Sequence, residues 1–538
     1  MLQKLSRLLH TMRVTLFFTL VFYPQISSGL NLDGEGHYSL RGETRTKPGM
    51  ARDRGIHQAI DQSFRLLGEA RVNDRSSFFL EFRLFDDPRN AYLGDKSKAQ
   101  CDKNGENCVY PHQNVKEPQY QEYIPRVTQA YTRYAFDFFI VEAGRKKRDW
   151  GLGLFLDGGA NPFAQDASIY DGISFDINIQ KTQSLGVSFG FDKISETGSY
   201  IREPLQIDKE IKFGPGNSSD DANQIFVALV FDDRKSNAGA ALTKHIGIYG
   251  AKVSSADITK GGSNTDITFV DLYTGFFYKN LQLKNEILFT LGKTADPNMT
   301  YLGGAYEDNA DIVTNKVSSL AFAGELLWTL ASSGSYIGPE VYRKGDATRH
   351  LLLLDYAFAP GDPEGYYNYD YLSGSSGSEN SALSVKNRSK EAKAVAFHRN
   401  FKPALIMFNG RSQIDDLIVE GVFDPGRVMN AQVYSLGYRY EDLSIGNFEV
   451  KGIYGTLNTS IPESVKDHYA NASGDKPIGY YGTDLGFELD FKYWTNFGKD
   501  IDVGLAAGAL MPGQAWKISE SLDPDPNYLV QSYISFNF

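Results

Sequence analysis

Arginines recur at alternate positions of the first apolar segments of the chain, at Arg41, Arg65, Arg71 and Arg83. A guanidinium group binds a carboxylate through two parallel hydrogen bonds, and its positive charge persists at any physiological pH. Arginines that face one shared, water-filled space would therefore attract organic anions or polyuronates.

Acids at Glu69 and Glu81 and a basic run from Arg145 to Arg148 accompany these arginines. Two interpretations are open: the basic side chains select an anionic solute, or they pair with the acids and brace the wall that carries them. The acids are nearly as numerous as the bases, and the formal net charge of the chain is −11. The candidate lining residues are Arg41, Arg65, Glu69, Arg71, Glu81, Arg83, Arg145, Arg148, Glu488, Asp490 and Lys492.

The segments around these charges alternate between apolar and polar residues. One runs from Phe64 to Val72, the next from Phe78 to Leu84, and a tight turn over 73–76 joins them. A period of two predicts β-strands with apolar side chains on one face and charged side chains on the other. Charges facing a solid apolar core would be costly, whereas a water-filled lumen tolerates them. The pattern predicts a hairpin in the wall of a membrane-spanning barrel.

The same alternation recurs to the end of the chain. It predicts an all-β fold, a transmembrane antiparallel β-barrel of about 18 strands, within a range of 16–18, with long extracellular loops and short periplasmic turns. The expected long loops are 87–124, 147–168, 194–222, 293–316 and 360–426. Of these, 87–124 and 360–426 are the candidates to fold into the lumen. The stretch 331–349 is expected to hold either an extra pair of strands or a periplasmic loop.

Both ends of the chain carry export signals. The first 29 residues have a basic start, an apolar run over 14–23 and small residues at a plausible cleavage position. They predict a cleaved signal peptide, 1–29, before a single barrel domain, 30–538. The last strand alternates and ends on the aromatic Phe538, the signal that outer-membrane assembly machinery reads. The expected location is the bacterial outer membrane, with its lipid and that machinery as partners.

Composition argues against several other classes of protein. Removal of the leader takes away three basic residues, so the mature chain is more acidic than the full chain, and no nucleic-acid partner is expected. The eight histidines are scattered without metal-ligand spacing, so no metal and no cofactor are predicted. Gly186 to Gly190 fits a serine-nucleophile motif but lies in an alternating strand with no helix after it. Ser188 is therefore expected to be an ordinary lumen residue, and the protein is not expected to be an enzyme.

Two cysteines, Cys101 and Cys108, lie close together in the chain. In an exported protein such a pair is expected to form a disulfide that closes a small loop. A metal site is the weaker interpretation, because two thiols without nearby ligands make only half of one.

Several segments resemble the alginate export family of outer-membrane barrels. They are 141–153 followed by 170–173, then 355–362, 481–490 and 511–515, and Pro360 stands where that family usually has serine. The likeness touches the chain from about residue 37 to its end. It implies an eighteen-stranded, exporter-like porin fold more directly than it implies alginate as cargo, because one fold serves many solutes.

These features predict a passive porin or exporter for a hydrophilic solute, either small or a polysaccharide, and an anionic saccharide fits the arginines. The alternative is a surface barrel that acts as an adhesin or a structural protein, with its long loops as the binding surface. A TonB-dependent receptor is not expected, because no plug-sized segment separates the predicted leader from the first strand.

Overall fold

The computed structural model describes residues 31–46, 56–84, 100–101, 108–109, 126–160, 167–178, 184–194, 222–234, 242–256, 264–294, 315–333, 348–361, 391–392, 395, 397–398, 400–408, 428–442, 444–459, 482–498, 500–516 and 525–538. The predicted signal peptide and most of the loop 87–124 lie outside these residues. Within them, no helix has the length and apolar character needed to cross a membrane.

Eighteen antiparallel strands form the wall, and each pairs with its neighbours in sequence. They are β1 (Asn31–Thr46), β2 (Ile56–Asn73), β3 (Ser76–Leu84), β4 (Arg126–Ala135), β5 (Phe139–Lys147), β6 (Ile169–Asn178), β7 (Leu185–Ile194), β8 (Ala222–Asp232), β9 (Leu242–Ala256), β10 (Asn264–Tyr278), β11 (Leu281–Thr294), β12 (Asn315–Ser332), β13 (Thr348–Ala359), β14 (Ala431–Asp442), β15 (Gly446–Leu457), β16 (Asp484–Phe497), β17 (Ile501–Pro512) and β18 (Asn527–Asn537). β18 pairs with β1, which closes the sheet into a barrel. The predicted all-β antiparallel barrel and its eighteen strands are confirmed.

Shorter elements complete the described structure. Two-residue strands at Gln100–Cys101 and Cys108–Val109 pair only with each other, and Glu391–Ala392 runs parallel to the start of β12. A single-turn 3-10 helix, Gln514–Trp516, follows β17.

Side chains alternate between the outside and the inside of the barrel, as β8 shows. Ile225, Val227 and Leu229 are 62%, 49% and 45% exposed, whereas Phe226 and Ala228 between them are 3% and 6% exposed. Outward aliphatic and aromatic side chains are exposed in the same way on the strands around it. Water is a poor solvent for so large an apolar surface, whereas lipid suits it.

The β2–β3 hairpin closes through the turn that its sequence predicts. The Asn73 side chain accepts hydrogen bonds from the backbone N–H groups of Arg75 and Ser76, each at 2.9 Å. Asparagine is favoured in turns for this ability to replace a backbone acceptor. The register that follows places Arg65 directly opposite Arg83 on the inward face.

The last residue completes the seam between β1 and β18. Phe538 and Gly36 exchange two backbone hydrogen bonds, of 2.7 and 2.9 Å. The Phe538 ring covers Gly36 so closely that a Cβ atom there would lie 2.1 Å from the ring. Beside it, the rings of Tyr38 and Phe536 stack with their centroids 6.4 Å apart. The aromatic end of the chain thus closes both the hydrogen-bonded wall and its apolar outer surface.

The connections at one end of the barrel are short, and the long loops lie at the other end. The connection 332–348 is the longest at the short-turn end. β12 and β13, which flank it, pair directly with each other, so the barrel holds no extra pair of strands at this point. Of the two expectations for 331–349, the extra pair of strands is wrong.

β16 departs from simple alternation at its start. Strict alternation would place Leu485 on the lipid face with Phe487 and Leu489, but Leu485 is fully buried inside the barrel. Gly486 adopts a φ of 101°, and the pairing with β15 shifts by one residue beside it. This bulge turns Leu485 inward while Glu488 keeps its inward orientation.

Replacing Gly486 with alanine is expected to lower the free energy of unfolding by about 1–3 kcal/mol, because a positive φ strains a residue that has a Cβ. The new Cβ would also lie 2.1 Å from the backbone oxygen of Met511. Thermal unfolding of the refolded barrel, followed by its shift in gel mobility, measures the loss. Gly250→Ala is the matched control, because a Cβ there meets nothing closer than 3.7 Å. Equal midpoints for the two variants would contradict the prediction.

Candidate functional site

Two chain segments fold from the loop end into the lumen. We call residues 148–160, which follow β5, the first inward segment, and residues 400–408, between β13 and β14, the second inward segment. Together they form a septum. Apolar side chains of both segments, such as Leu154 and Leu156 of the first and Ile406 and Met407 of the second, are at most 1% exposed.

The first inward segment crosses most of the width of the barrel. On β3, the Arg83 guanidinium donates a hydrogen bond of 2.9 Å to the carbonyl oxygen of Gly159. On β11, the Glu286 carboxylate accepts hydrogen bonds from the backbone N–H groups of Leu152 and Leu154, the latter at 3.2 Å. Because β3 and β11 are eight strands apart in a ring of eighteen, these two anchors lie almost opposite each other.

The second inward segment is anchored to β16 through its backbone. The N–H groups of Ile406 and Met407 each donate a hydrogen bond of 2.7 Å to the Glu488 carboxylate. The N–H group of Leu405 donates one of 3.0 Å to Asp490. Glu488 and Asp490 face inward as predicted, but the segment covers them, and they are 0% and 2% exposed.

The two inward segments are also joined to each other. The Asn400 side chain donates a hydrogen bond of 2.9 Å to the Asp157 carboxylate, and the His398 N–H group donates one of 2.7 Å to the Leu154 carbonyl oxygen. The septum is therefore held at β3, β11 and β16, and it divides the lumen at its level into three sectors.

Apolar packing fills two of these sectors in the described part of the chain. In the sector from β3 to β11, the first inward segment packs against inward aromatic side chains of β8 to β10. In the sector from β11 to β16, both segments pack against inward aliphatic side chains. The packed residues include Leu156, Phe226, Tyr249 and Ala251 in one sector and Leu154, Leu288, Ala323, Ile406, Met407 and Ile453 in the other. The expectation that inward positions face water is wrong for these residues, because the septum supplies them with apolar partners.

Polar residues line the third sector, which runs from β17 through β18 and β1 to β3. Arg41 on β1 and Arg65 on β2 are partly exposed, and Tyr533 of β18 lies directly opposite Arg41. On β17 the ring of Tyr533 covers the inward Gly504, and Ala506 packs against the apolar cluster that includes Leu529, so the polar part of this sector lies toward β1 to β3. Among the described residues, none forms a hydrogen bond or an ion pair with Arg65. Its guanidinium is thus partly exposed inside the barrel.

Glu81 and Arg83 form a buried ion cluster with the end of β5. Arg83 Nε lies 3.2 Å from the Glu81 carboxylate, which Lys147 also contacts. Thr128 and Gln129 each donate a further hydrogen bond of 2.7 Å to Glu81. Glu81 and Arg83 are both 3% exposed, so for them the bracing interpretation fits.

Other predicted lining residues stay in contact with water. Arg71, near the short-turn end, forms a two-point ion pair with Glu69 through N–O distances of 2.8 Å, and its side chain is 51% exposed. Such a solvated pair contributes about 0–1 kcal/mol to stability. Lys492 on β16 is 38% exposed and lies 4.0 Å from Glu449.

The basic run from Arg145 to Arg148 does not line the lumen as a unit. Arg145 lies on the outward face that also carries Ile173, and it binds Asp171 through two hydrogen bonds of 2.8 Å. Arg148 binds the buried Asp192 at 2.7 and 2.8 Å and so anchors the start of the first inward segment. The prediction that Arg145 lines the lumen is wrong, because side chains of a strand alternate between faces and a continuous basic run cannot share one.

A cavity of about 220 Å³ lies between the second inward segment and the wall from β12 to β15. Its lining includes Glu325, Asp355 and Lys451 from the wall and Phe401 and Lys402 from the segment. Lys451 lies 2.7 Å from Asp355, and the side chain of Glu325 remains 49% exposed. The cavity therefore offers carboxylate and ammonium groups beside an aromatic ring, a combination that suits a small polar solute.

The remaining predicted sites concern Cys101, Cys108 and Ser188. The backbone register places Cys101 directly opposite Cys108. Opposed residues of antiparallel strands have Cα atoms about 4.5–5.5 Å apart, within the span of a disulfide, which stays a prediction here. Ser188 lies in the middle of β7 and hydrogen-bonds with Asp176, as expected for an ordinary lumen residue.

The first inward segment and its anchor Glu286 were not predicted as functional residues. A signal for the first inward segment is present in the sequence, because Trp150 to Leu156 is rich in apolar residues although it lies in a stretch predicted to be an extracellular loop. Apolar runs of this kind favour burial. The structure also requires glycine at Gly151, whose φ is 61° and where a Cβ would lie 2.4 Å from the Glu286 carboxylate.

No model of a known protein family matches the sequence, and no curated protein matches it. Solved structures with a similar arrangement include Pseudomonas aeruginosa OccK2 (OpdF) in complex with glucuronate, at 10% identity, 96% coverage of this chain, 99% of that chain and a TM-score of 0.44. They also include the outer membrane protein OprD from Pseudomonas aeruginosa, at 11% identity, 95% coverage of each chain and a TM-score of 0.44. Acinetobacter baumannii OccAB1 matches at 13% identity, with 94% and 96% coverage and a TM-score of 0.45. Likenesses this distant leave the solute of a channel open.

Proposed function

We propose that the protein is an outer-membrane channel for passive passage of a small, hydrophilic, carboxylate-bearing solute. The observation that carries this proposal is the third sector of the septum. Two sectors are largely filled by apolar packing, whereas the third carries Arg65, which pairs with no other residue in the described part of the chain. A fixed positive charge in a narrow, water-filled passage selects anions.

The outer surface supports a membrane location. Exposed aromatic side chains cluster at the short-turn end, where Phe136 and Phe138 are 43% and 68% exposed. Aromatic side chains at the boundary of an apolar band are typical of transmembrane barrels, because the interface suits their rings. On this proposal residues 1–29 act as a cleaved leader, and the aromatic end of β18 serves recognition by the assembly machinery.

The septum favours a small solute over a polymer. The first inward segment is fixed at β3 and β11, so passage is confined to a fraction of the lumen. A flexible polysaccharide such as alginate, the cargo that the family resemblance suggests, would have to thread this passage in extended form. A monomeric sugar acid would meet Arg65 with its carboxylate and would fit this narrower passage without having to extend.

Planar-bilayer recording tests this function. The refolded protein is expected to give discrete conductance steps, and glucuronate is expected to reduce the current more than glucose does, because only the acid pairs with a guanidinium. Equal effects of the two sugars would reject the anionic solute. A protein that forms folded barrels but conducts no current would instead support a surface adhesin or structural barrel.

A further inference from the structure

Each inward segment is docked on a pair of carboxyl groups instead of a single one. Glu286 on β11 lies diagonally across from Asp271 on β10, and the two side chains interact directly. Glu488 and Asp490 are separated by one residue on β16 and also interact directly. We call these pairs the Glu286 socket and the Glu488 socket.

The sockets share one geometry. In each, a glutamate accepts hydrogen bonds from two backbone N–H groups of an inward segment, while an aspartate stands beside it. These N–H donors favour negative charge on the glutamate of each pair, because a carboxylate is the stronger acceptor for a backbone donor. Asp490 adds one further acceptor, for the N–H group of Leu405.

The aspartates have unused polar atoms in buried positions. Among the described residues, one carboxyl oxygen of Asp490 and both of Asp271 have no donor in good hydrogen-bond geometry, although the Trp150 side chain interacts with Asp271. All four carboxyl groups are at most 2% exposed. Placing a negative charge on both of two neighbouring carboxyl groups that are excluded from water has a large free-energy cost. Such a pair therefore retains one proton. A proton on the aspartate also satisfies its unused oxygen by donating to the glutamate.

We infer that each socket binds one proton between its two carboxyl groups, and that release of these protons undocks the inward segments and widens the channel. The inference rests on the proposed channel function and adds its regulation. Its physical basis is repulsion between the two carboxylates of a pair that has lost its proton. Release of the inward segment that covers the pair admits water, which weakens this repulsion. Conductance is therefore expected to rise as the pH is raised above neutral.

Neighbouring charges determine how firmly each proton is held. Around the Glu488 socket, Lys451 lies directly opposite Asp490, Lys492 and Glu449 lie further along, and β17 contributes only Leu510 and Gly508. Lys451 also pairs with Asp355 at 2.7 Å, so only part of its charge acts on the socket.

The Glu286 socket has fewer cations. Tyr249 lies opposite Asp271, Tyr273 and Ala323 lie opposite Glu286, and Lys284 is the nearest basic residue on the same strand. On the segment side the neighbours are Trp150, Asp149 and Arg148, of which Arg148 is paired with Asp192. Burial raises the pKa of the Asp149 carboxyl group in this segment.

The experiment compares wild type with the double variant Asp271→Asn, Asp490→Asn. Each asparagine donates its amide N–H to the neighbouring glutamate and cannot lose that proton, so it copies the protonated socket at every pH. Between about pH 6 and about pH 10, wild-type conductance is expected to rise at least about twofold, whereas the double variant is expected to stay constant. Asp176→Asn, on β6 away from the septum, controls for the loss of an inward acid and is expected to keep the wild-type rise.

A second measurement does not depend on conduction. Trp150 packs beside Tyr249, with ring centroids 5.4 Å apart, and interacts with Asp271. In a background with Trp328→Phe and Trp494→Phe, acrylamide quenching of the remaining tryptophans is expected to increase with pH in otherwise wild-type protein but not in the double variant. Trp516 packs in the same apolar cluster as Ile406 and Met407, so release of the second inward segment is expected to add to the increase in quenching.

The outcomes separate the inference from the channel proposal. A pH-dependent rise in both conductance and quenching that the double variant abolishes supports the inference. Constant values in wild type, or an equal rise in the double variant, overturn it. A folded protein that conducts at no pH yet shows the wild-type change in quenching refutes the channel proposal and supports the undocking of the segment.

Discussion

Replacing Arg65 with glutamate is expected to convert the channel from anion preference to cation preference. The substitution changes a lumen charge by two units. For an ion that passes about 6 Å away in water, this disfavours an anion by about 1.4 kcal/mol and favours a cation by the same amount, so the ratio of anion to cation permeability is expected to fall about a hundredfold. Reversal potentials measured across a salt gradient give this ratio directly.

Arg75→Glu is the matched control for this measurement. Arg75 lies in the turn after β2, its side chain is 57% exposed, and it pairs with Asp137 at 2.8 Å outside the lumen. The control is expected to leave the permeability ratio near the wild-type value. An Arg65 variant that behaves like the control would remove Arg65 from the conduction path.

Replacing Glu488 with leucine is expected to release the second inward segment and to raise the conductance at least about twofold. The substitution leaves the N–H groups of Ile406 and Met407 without their acceptor in an apolar site. Each unpaired buried N–H group costs about 1–3 kcal/mol, which opposes docking of the segment. Single-channel recording at neutral pH measures the increase.

Glu488→Gln separates the loss of hydrogen bonding from the loss of charge. Glutamine keeps the shape of the side chain and one carbonyl oxygen that can accept a backbone hydrogen bond. Its conductance is expected to lie between those of wild type and the leucine variant. Folded Glu488→Leu barrels with wild-type conductance would show that the segment stays in place without this anchor.

The fold was largely predictable because alternation is a local property of the sequence. The period of two predicts that Phe82 faces lipid and that Arg83 faces the lumen. Every strand has this period, because one face of the wall contacts lipid and the other contacts the lumen. Departures come from elements that the period does not encode. Leu485 faces inward because Gly486 introduces a bulge, and Arg145 faces outward because a run of basic residues says nothing about which of its members share a face.

The septum was only partly predictable for a different reason. The loop 360–426 was expected to fold inward, and the residues of it that form the second inward segment do so. The first inward segment depends on contacts between residues far apart in the chain, such as Leu154 with Glu286. The local sequence around an inward carboxyl group is the same whether that group faces water or a backbone N–H group. Glu286 and Glu488 therefore could not be distinguished from solvated acids by sequence alone.

The seam at Gly36 and Phe538 constrains how the molecule can be made. The side chains of His37 and Asn537, which meet at this seam, are 500 positions apart in sequence. Until the final strand arrives, β1 has one edge with unsatisfied N–H and C=O groups, open to any other extended polypeptide. Contacts between such distant residues form slowly. The newly exported polypeptide therefore needs protection from aggregation during transit. Loss of even its last few residues would leave a sheet that cannot close into a barrel.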